Sequence, residues 1–224
     1  MDQRTPGTMA LAPSSLERLM KVLAIDTTVW TCSVALWENG QELAFQEVSS
    51  EKDQAAILPQ LVQKVLGKAL PDQVLVNLGP GSFTGIRVGL AFAKGLTMGL
   101  NIPLKGMDSF LTTFLCLNNP KDVLILIEAH RKDVFGRRFI QGNPEPPQSL
   151  IHEDIEKILK SPFPPAFAGS GLHPILDDLD YKEIVTPWRG AQQLACAYFN
   201  NPDKALEAKP FYMREAAVTL SQKT

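Results

Sequence analysis

Three stretches carry residue types that could do chemistry. The first is Ile25-Asp26-Thr27-Thr28, which closes an apolar run. A carboxylate at the tip of a hairpin can hold a metal-bound water beside a phosphate, provided that neighbouring backbone approaches closely, which glycine permits. Position 28 is threonine, and the next glycine downstream is Gly40. An aspartate can also cap its own turn through its side chain. Asp26, Thr27 and Thr28 therefore read as a vestigial phosphate hairpin. The second stretch is Gly79-Pro80-Gly81-Ser82-Phe83-Thr84-Gly85-Ile86-Arg87. A glycine-rich turn before a helix can cradle an anion on free N–H groups. Gly79, Gly81, Ser82 and Gly85 are the candidates. No Lys-Ser/Thr pair follows, so this is not a P-loop, and the Gly-x-Gly-x-x-Gly spacing fails. The alternative is a tight strand-to-helix turn capped by Ser82 or Thr84. The third stretch is Glu128-Ala129-His130, followed by the basic residues Arg131, Lys132, Arg137 and Arg138. Glu128 and His130 resemble an acid–base pair, although a strand would not set them directly together. The basic residues suit a solvated hairpin or an RNA contact. His152 and His173 stand apart, so no helical metal site arises. No Gly-x-Ser-x-Gly elbow is present, and no catalytic constellation assembles.

Positioning these residues calls for alternating strands and helices. Strands are expected at 21–27, 31–37 and 41–48, with Glu38-Asn39-Gly40 as a hairpin turn. Asp53 is expected to cap a helix over 54–68, with apolar stripes Ile57/Leu61/Val65 and Leu58/Val62/Leu66. Pro59 lies in its first turn or bends it. A strand at 73–78 leads through the glycine turn into a helix over 83–100. That helix carries two small-residue series, Gly85/Gly89/Ala93 and Ala91/Gly95/Gly99. Interior helical glycines cost about 0.5–1 kcal/mol each relative to alanine, so they imply close approach of other backbone. A strand at 104–107 and a helix at 109–117 follow. After Asn118-Asn119-Pro120 the order repeats: strands at 123–128 and 134–140, a proline-rich loop over 142–147, a helix at 153–159 and a strand from 167. Helices are expected over 175–179 and 190–199. This is an α/β protein of two related halves, 20–118 and 119–224. Residues 1–19 read as a disordered or mis-annotated extension, with Met9 and Met20 as alternative starts.

The composition agrees. With 45% hydrophobic and 21% charged residues in 224, the chain is neither disordered nor fibrous. Its formal charge of −2 argues against gripping nucleic acid unaided. Cys32, Cys116 and Cys196 are odd in number, widely spaced and set in apolar runs, so they read as buried thiols of a reducing compartment. The apolar stretch 85–100 holds Arg87, Lys94 and four glycines, which disqualifies it as a membrane span.

Several strings carry a resemblance. They are Val22 to Thr28, Cys32-Ser33-Val34-Ala35-Leu36, Ile57-Leu58-Pro59 and, above all, Gly79 through Leu90 continuing to Leu96. Together they resemble the bacterial TsaB (YeaZ) family, as does Pro210 to Arg214, which matches a C-terminal Pro-x-Tyr-Leu-Arg signature. The resemblance covers about residues 20–214. It implies an actin/heat-shock-ATPase-like (ASKHA) fold. It also implies a non-catalytic role in making threonylcarbamoyladenosine next to the tRNA anticodon. Such proteins pair with a catalytic paralogue, TsaD, through helices of the first half, beside the ATPase TsaE and the synthase TsaC. Glu128-Ala129-His130 departs from the family's Asp-Ala-Arg, Asp53 stands where histidine is common, and Lys132 replaces a glycine.

The expected partner contacts are Ile57, Leu58, Leu61, Phe83, Arg87, Leu90, Ala91 and Lys94. Gly89→Leu is expected to weaken the pair and spare the fold. Expected, too, are no metal or cofactor of its own, ATP or ADP only at the TsaD interface, contact with tRNA only through the complex, no membrane, a cytoplasmic location and a homodimer when alone. The rival is an actin-like ATPase or phosphotransferase acting through Asp26. A glycoprotease-like (M22) peptidase would need a His-x-x-x-His pair, which the sequence lacks.

Overall fold

The computed structural model describes residues 19–49, 53–129, 132–172, 180–187 and 189–214. The extension 1–18, His130, Arg131, His173 and the helix expected over 175–179 lie outside them.

The first sheet has the order β3-β2-β1-β4-β5. Its strands are β1 (Lys21–Asp26), β2 (Thr31–Glu38), β3 (Gln41–Ser49), β4 (Gln73–Asn77) and β5 (Leu104–Met107). β1 runs antiparallel to β2 and parallel to β4. The hairpin between β2 and β3 turns on Asn39 and Gly40, at φ 48° and 81°. Two successive left-handed residues match the right-handed strand twist, so the Asn-Gly pair sets this register. The second sheet repeats the plan. Its central β6 (Asp122–Glu128) is antiparallel to β7 (Asp133–Ile140) and parallel to β10 (Ala166–Ala168). β8 (Asn143–Pro144) and β9 (Gln148–Ile151) also pair with β7. Within the proline-rich stretch only Asn143–Pro144 departs from the expected loop, and 145–147 keep to it. Pro144 is tolerated because β8 lies at the sheet's edge. Two mixed α/β sheets of matching topology make an actin-like fold of two α/β halves.

Helix α1 (Gln54–Leu66) and helix α2 (Phe83–Leu100) cover one face of the first sheet. α1 runs through Pro59, which occupies its second turn. The Asp53 side chain makes no cap. The residue is left-handed at φ 69°, and its carbonyl instead accepts from Ala56 and Ile57. α3 (Ser109–Leu115) links the halves and is capped by Asp108, whose carboxylate accepts from the Leu111 N–H at 2.9 Å. Burial raises the Asp108 pKa above the usual aspartate value. α4 (His152–Leu159) packs on the second sheet. α5 (Gly190–Asn200) returns to the first half, where Ala191, Leu194 and Tyr198 bury against Val22, Ala24 and Trp37 on its other face. The tail follows it back, with the Phe211 N–H bonded to the Leu78 carbonyl at 2.7 Å. Among the described residues no helix is long and apolar enough to cross a membrane.

Candidate functional site

At the end of β1 the Asp26 carboxylate is 5% exposed and fully engaged. One oxygen accepts from the Thr28 N–H at 2.8 Å and from its hydroxyl at 2.7 Å, and the other accepts from Asn77 Nδ2 at 2.8 Å. Asn77 in turn accepts at Oδ1 from the Gly79 N–H and the Ser109 hydroxyl, each at 3.0 Å. Asp26 thus caps its own turn and ties it to the end of β4. Asn77 and Ser109 escaped the reading of the sequence. The available signal was an amide ending a buried strand, since a buried polar group must find partners.

The glycine-rich turn packs directly onto this hairpin. The Ser82 N–H donates to the Thr28 carbonyl at 2.7 Å, and the Thr27 hydroxyl donates to the Gly85 carbonyl at 2.7 Å. A Cβ on Gly81 would stand 2.2 Å from the Thr28 carbonyl oxygen, and one on Gly85 would stand 1.9 Å from that of Thr27. Ser82 caps α2, its hydroxyl accepting from the Gly85 N–H at 3.2 Å. The N–H groups of Gly79, Ser82 and Gly85 are therefore used within the chain, and the glycines admit the Thr27–Thr28 backbone. Asp26→Asn would set an amide donor against the N–H groups that now face a carboxylate. It is expected to cost about 1–3 kcal/mol, read as a lower urea midpoint at unchanged slope.

A cleft of about 500 Å³ opens between the halves beside Asp26. Its walls carry Asp26, Glu47, Glu128 and Glu183 against the guanidinium of Arg189, which itself pairs with Glu47 at 3.4 Å. Such a field opposes a phosphate chain. Glu128 accepts a bond from the Trp30 indole across the cleft. The basic hairpin is also engaged. Arg138 makes a two-pronged bond to Asp122 at 2.6 and 2.7 Å, and Arg137 Nε donates to the Glu145 carbonyl at 2.9 Å, while Lys132 is exposed.

The structure divides the expected partner contacts. Leu58, Leu61 and Leu90 are at most 6% exposed and belong to the core under α1 and α2, so they are corrected to structural residues. Ile57 and Phe83 are half-buried, and Arg87, Ala91 and Lys94 are exposed. The two small-residue series of α2 separate cleanly. Gly85, Gly89 and Ala93 face inward, whereas Ala91, Gly95 and Gly99 face outward. A Cβ on Gly95 or Gly99 would meet nothing within 4 Å, and neighbouring Met98 is 83% exposed. The same geometry reverses the expectation for Gly89→Leu. A Cβ there would sit 2.5 Å from the Thr27 hydroxyl oxygen, so the substitution strikes the fold itself. A groove of about 420 Å³ runs between α1 and α2, lined by Ala55, Leu58, Phe83, Thr84, Arg87, Val88, Ala91 and Phe92. Arg87 lies 3.8 Å over the Phe83 ring and donates to the Tyr212 hydroxyl at 3.2 Å. Tyr212, from the tail, packs on the Phe83 ring and bonds Arg87 beside this groove, a neighbour that the spacing of the first half could not reveal.

The family model of tRNA N6-adenosine threonylcarbamoyltransferase, TsaD, matches residues 49–160, half of the chain. The tRNA threonylcarbamoyladenosine biosynthesis protein TsaB of Buchnera aphidicola subsp. Schizaphis graminum is 31% identical over 62% of this chain and 74% of its own. The chain belongs to the TsaB (YeaZ) family. TsaB of Escherichia coli is 37% identical over 63% of each chain, so the match spans less than two thirds of that relative. The solved structure of YeaZ from Pseudomonas aeruginosa superposes on 87% of this chain and all of its own, with a TM-score of 0.66 at 22% identity. That likeness bears out the actin-like fold. Within this TsaB-family chain, the string that carried the resemblance, Gly79 to Leu90, joins the hairpin to the outer helical face.

Proposed function

We propose that this chain is a non-catalytic subunit in the synthesis of threonylcarbamoyladenosine in tRNA, and that it acts by pairing its α1–α2 face with the catalytic paralogue TsaD. The observation that carries the reading is the outward stripe Ala91, Gly95 and Gly99. Gly95 and Gly99 have room for larger side chains, and interior glycine costs a helix about 0.5–1 kcal/mol relative to alanine. Nothing among the described residues repays that cost. Small residues let another helix approach closely, and the adjoining groove with its Phe83–Arg87–Tyr212 cluster supplies an apolar anchor beside a cation. The names of the TsaB relatives support the pathway. The engaged state of Asp26 supports a scaffold over an ATPase or phosphotransferase. On this reading TsaE joins the same assembly in the cytoplasm. ATP or ADP enters only at the surface shared with TsaD. The grip on tRNA lies mainly in the other subunits, consistent with a net charge of −2.

Depleting the chain from its own cells should remove threonylcarbamoyladenosine from hydrolysed tRNA, as read by mass spectrometry. Asp26→Asn, at a temperature where it stays folded, should restore the nucleoside to the wild-type level. A folded Asp26→Asn chain that fails to restore it would favour the enzyme reading.

A further inference from the structure

Eighty positions apart in sequence, Cys116 and Cys196 meet where the end of α3 packs on α5. Cys116 is the C-cap of α3, and its thiol lies 3.3 Å from the Gln193 carbonyl oxygen, one turn before Cys196 on the same helix. Both cysteines pack against the same apolar cluster beneath the first sheet, and each shifts the other's titration. Asn200 Nδ2 approaches the Cys196 sulfur at 3.6 Å. Both cysteines are half-buried, unlike Cys32, which is fully buried. This corrects the expectation of three isolated, buried thiols. It also places two sulfurs on elements that belong to different parts of the chain.

We propose that Cys116 and Cys196 form a reversible redox pair, oxidised by a hydroperoxide to a disulfide that staples α3 to α5. The Cys196 sulfur attacks one peroxide oxygen, the O–O bond breaks, and the departing oxygen takes a proton and leaves as water or alcohol. The sulfenic acid formed on Cys196 is then attacked by the Cys116 sulfur. The S–O bond breaks, and the hydroxyl leaves as water with the Cys116 proton. Two thiols lose two protons and two electrons, and the peroxide gains them. A dithiol reductant restores both thiols by exchange. The order of attack follows from the inequality of the two thiols. The interaction with Cys116 holds the Cys196 thiol below its ordinary pKa, whereas the same interaction and burial push that of Cys116 up. Cys32 does not compete, because burial raises its pKa to about 12 and keeps it protonated.

The stapled state would tie the end of α3 to the helix covering the first sheet. α5 is already anchored there by the Ala191 N–H on the Ser33 hydroxyl at 2.9 Å. The test treats the reduced full-length chain with hydrogen peroxide near stoichiometry, blocks remaining thiols in acid and maps peptides without reduction. Expected is one linked peptide joining Cys116 to Cys196, a denatured thiol titre falling from three to one, and recovery with dithiothreitol. Cys32→Ser should still form the link. Cys116→Ser, or Cys116→Ala if the serine variant misfolds, should stop at a sulfenic acid on Cys196 that dimedone traps. Disulfide-linked dimers, a sulfinic acid on Cys196 with Cys116 still alkylated, or three thiols surviving would each overturn the proposal.

Discussion

Gly85→Ala is expected to destabilise the isolated chain by about 3 kcal/mol, the upper end for forcing extra volume into a packed site. One methyl group is added to a helix, where alanine is otherwise the better residue by about 0.5–1 kcal/mol. The sign reverses because the new Cβ would lie 1.9 Å from the Thr27 carbonyl oxygen, and backbone cannot yield as a flexible side chain can. The Thr27 hydroxyl also bonds the Gly85 carbonyl, so relief of the clash would break a buried hydrogen bond. Gly95→Ala supplies the control. It is the same change in the same helix, but with nothing within 4 Å of the new atom, and it should stabilise the chain by about 0.5–1 kcal/mol. Urea denaturation of the two variants should move the midpoint in opposite directions. Equal shifts would mean that α2 does not pack on the hairpin through its glycines.

The second large effect concerns the outer side of the same helix. Ala91→Arg should leave the melting temperature of the isolated chain within a degree or two, because Ala91 is exposed and arginine is a good helix former. Its binding to TsaD should nevertheless fall about 100-fold or more. Ala91 lines the groove between α1 and α2 beside Arg87, so a second guanidinium would both fill the groove and repel the first. A buried charge without a partner at an interface costs about 2–5 kcal/mol, and 1.4 kcal/mol is tenfold in affinity. Lys94→Glu, exposed at the edge, should alter mainly the association rate and its salt dependence.

Local chemistry was legible where neighbours in sequence decide it. Asn39-Gly40 specified a hairpin, Ser82 a helix cap, and the missing glycine after Asp26 an engaged turn. Distant contacts were not legible. The two small-residue series of α2 are alike in type and spacing. Thr27, over fifty residues upstream, and the core around Ala93 make one series structural, and among the described residues the glycines of the other meet nothing. Leu58, Leu61 and Leu90 are chemically suited to a core or an interface, and the sheet beneath them claims them. The return of α5 to the first sheet follows from Ala191 and Leu194 meeting Val22 and Ala24, residues of a strand near the other end of the described chain. The same return brings Cys196 to Cys116. Asp53 misled because a capping residue type preceded the helix, yet its left-handed backbone turns the side chain away from that use.

The central claim is that the outward face of α2, with the neighbouring groove, is where the catalytic paralogue docks. Isothermal titration of the purified chain with TsaD from the same cells, run in parallel for the wild type and for folded Ala91→Arg, tests it most directly. The account predicts saturable binding by the wild type and a loss of about 100-fold or more in the variant. No binding by the wild type, or equal affinity for both, would contradict it.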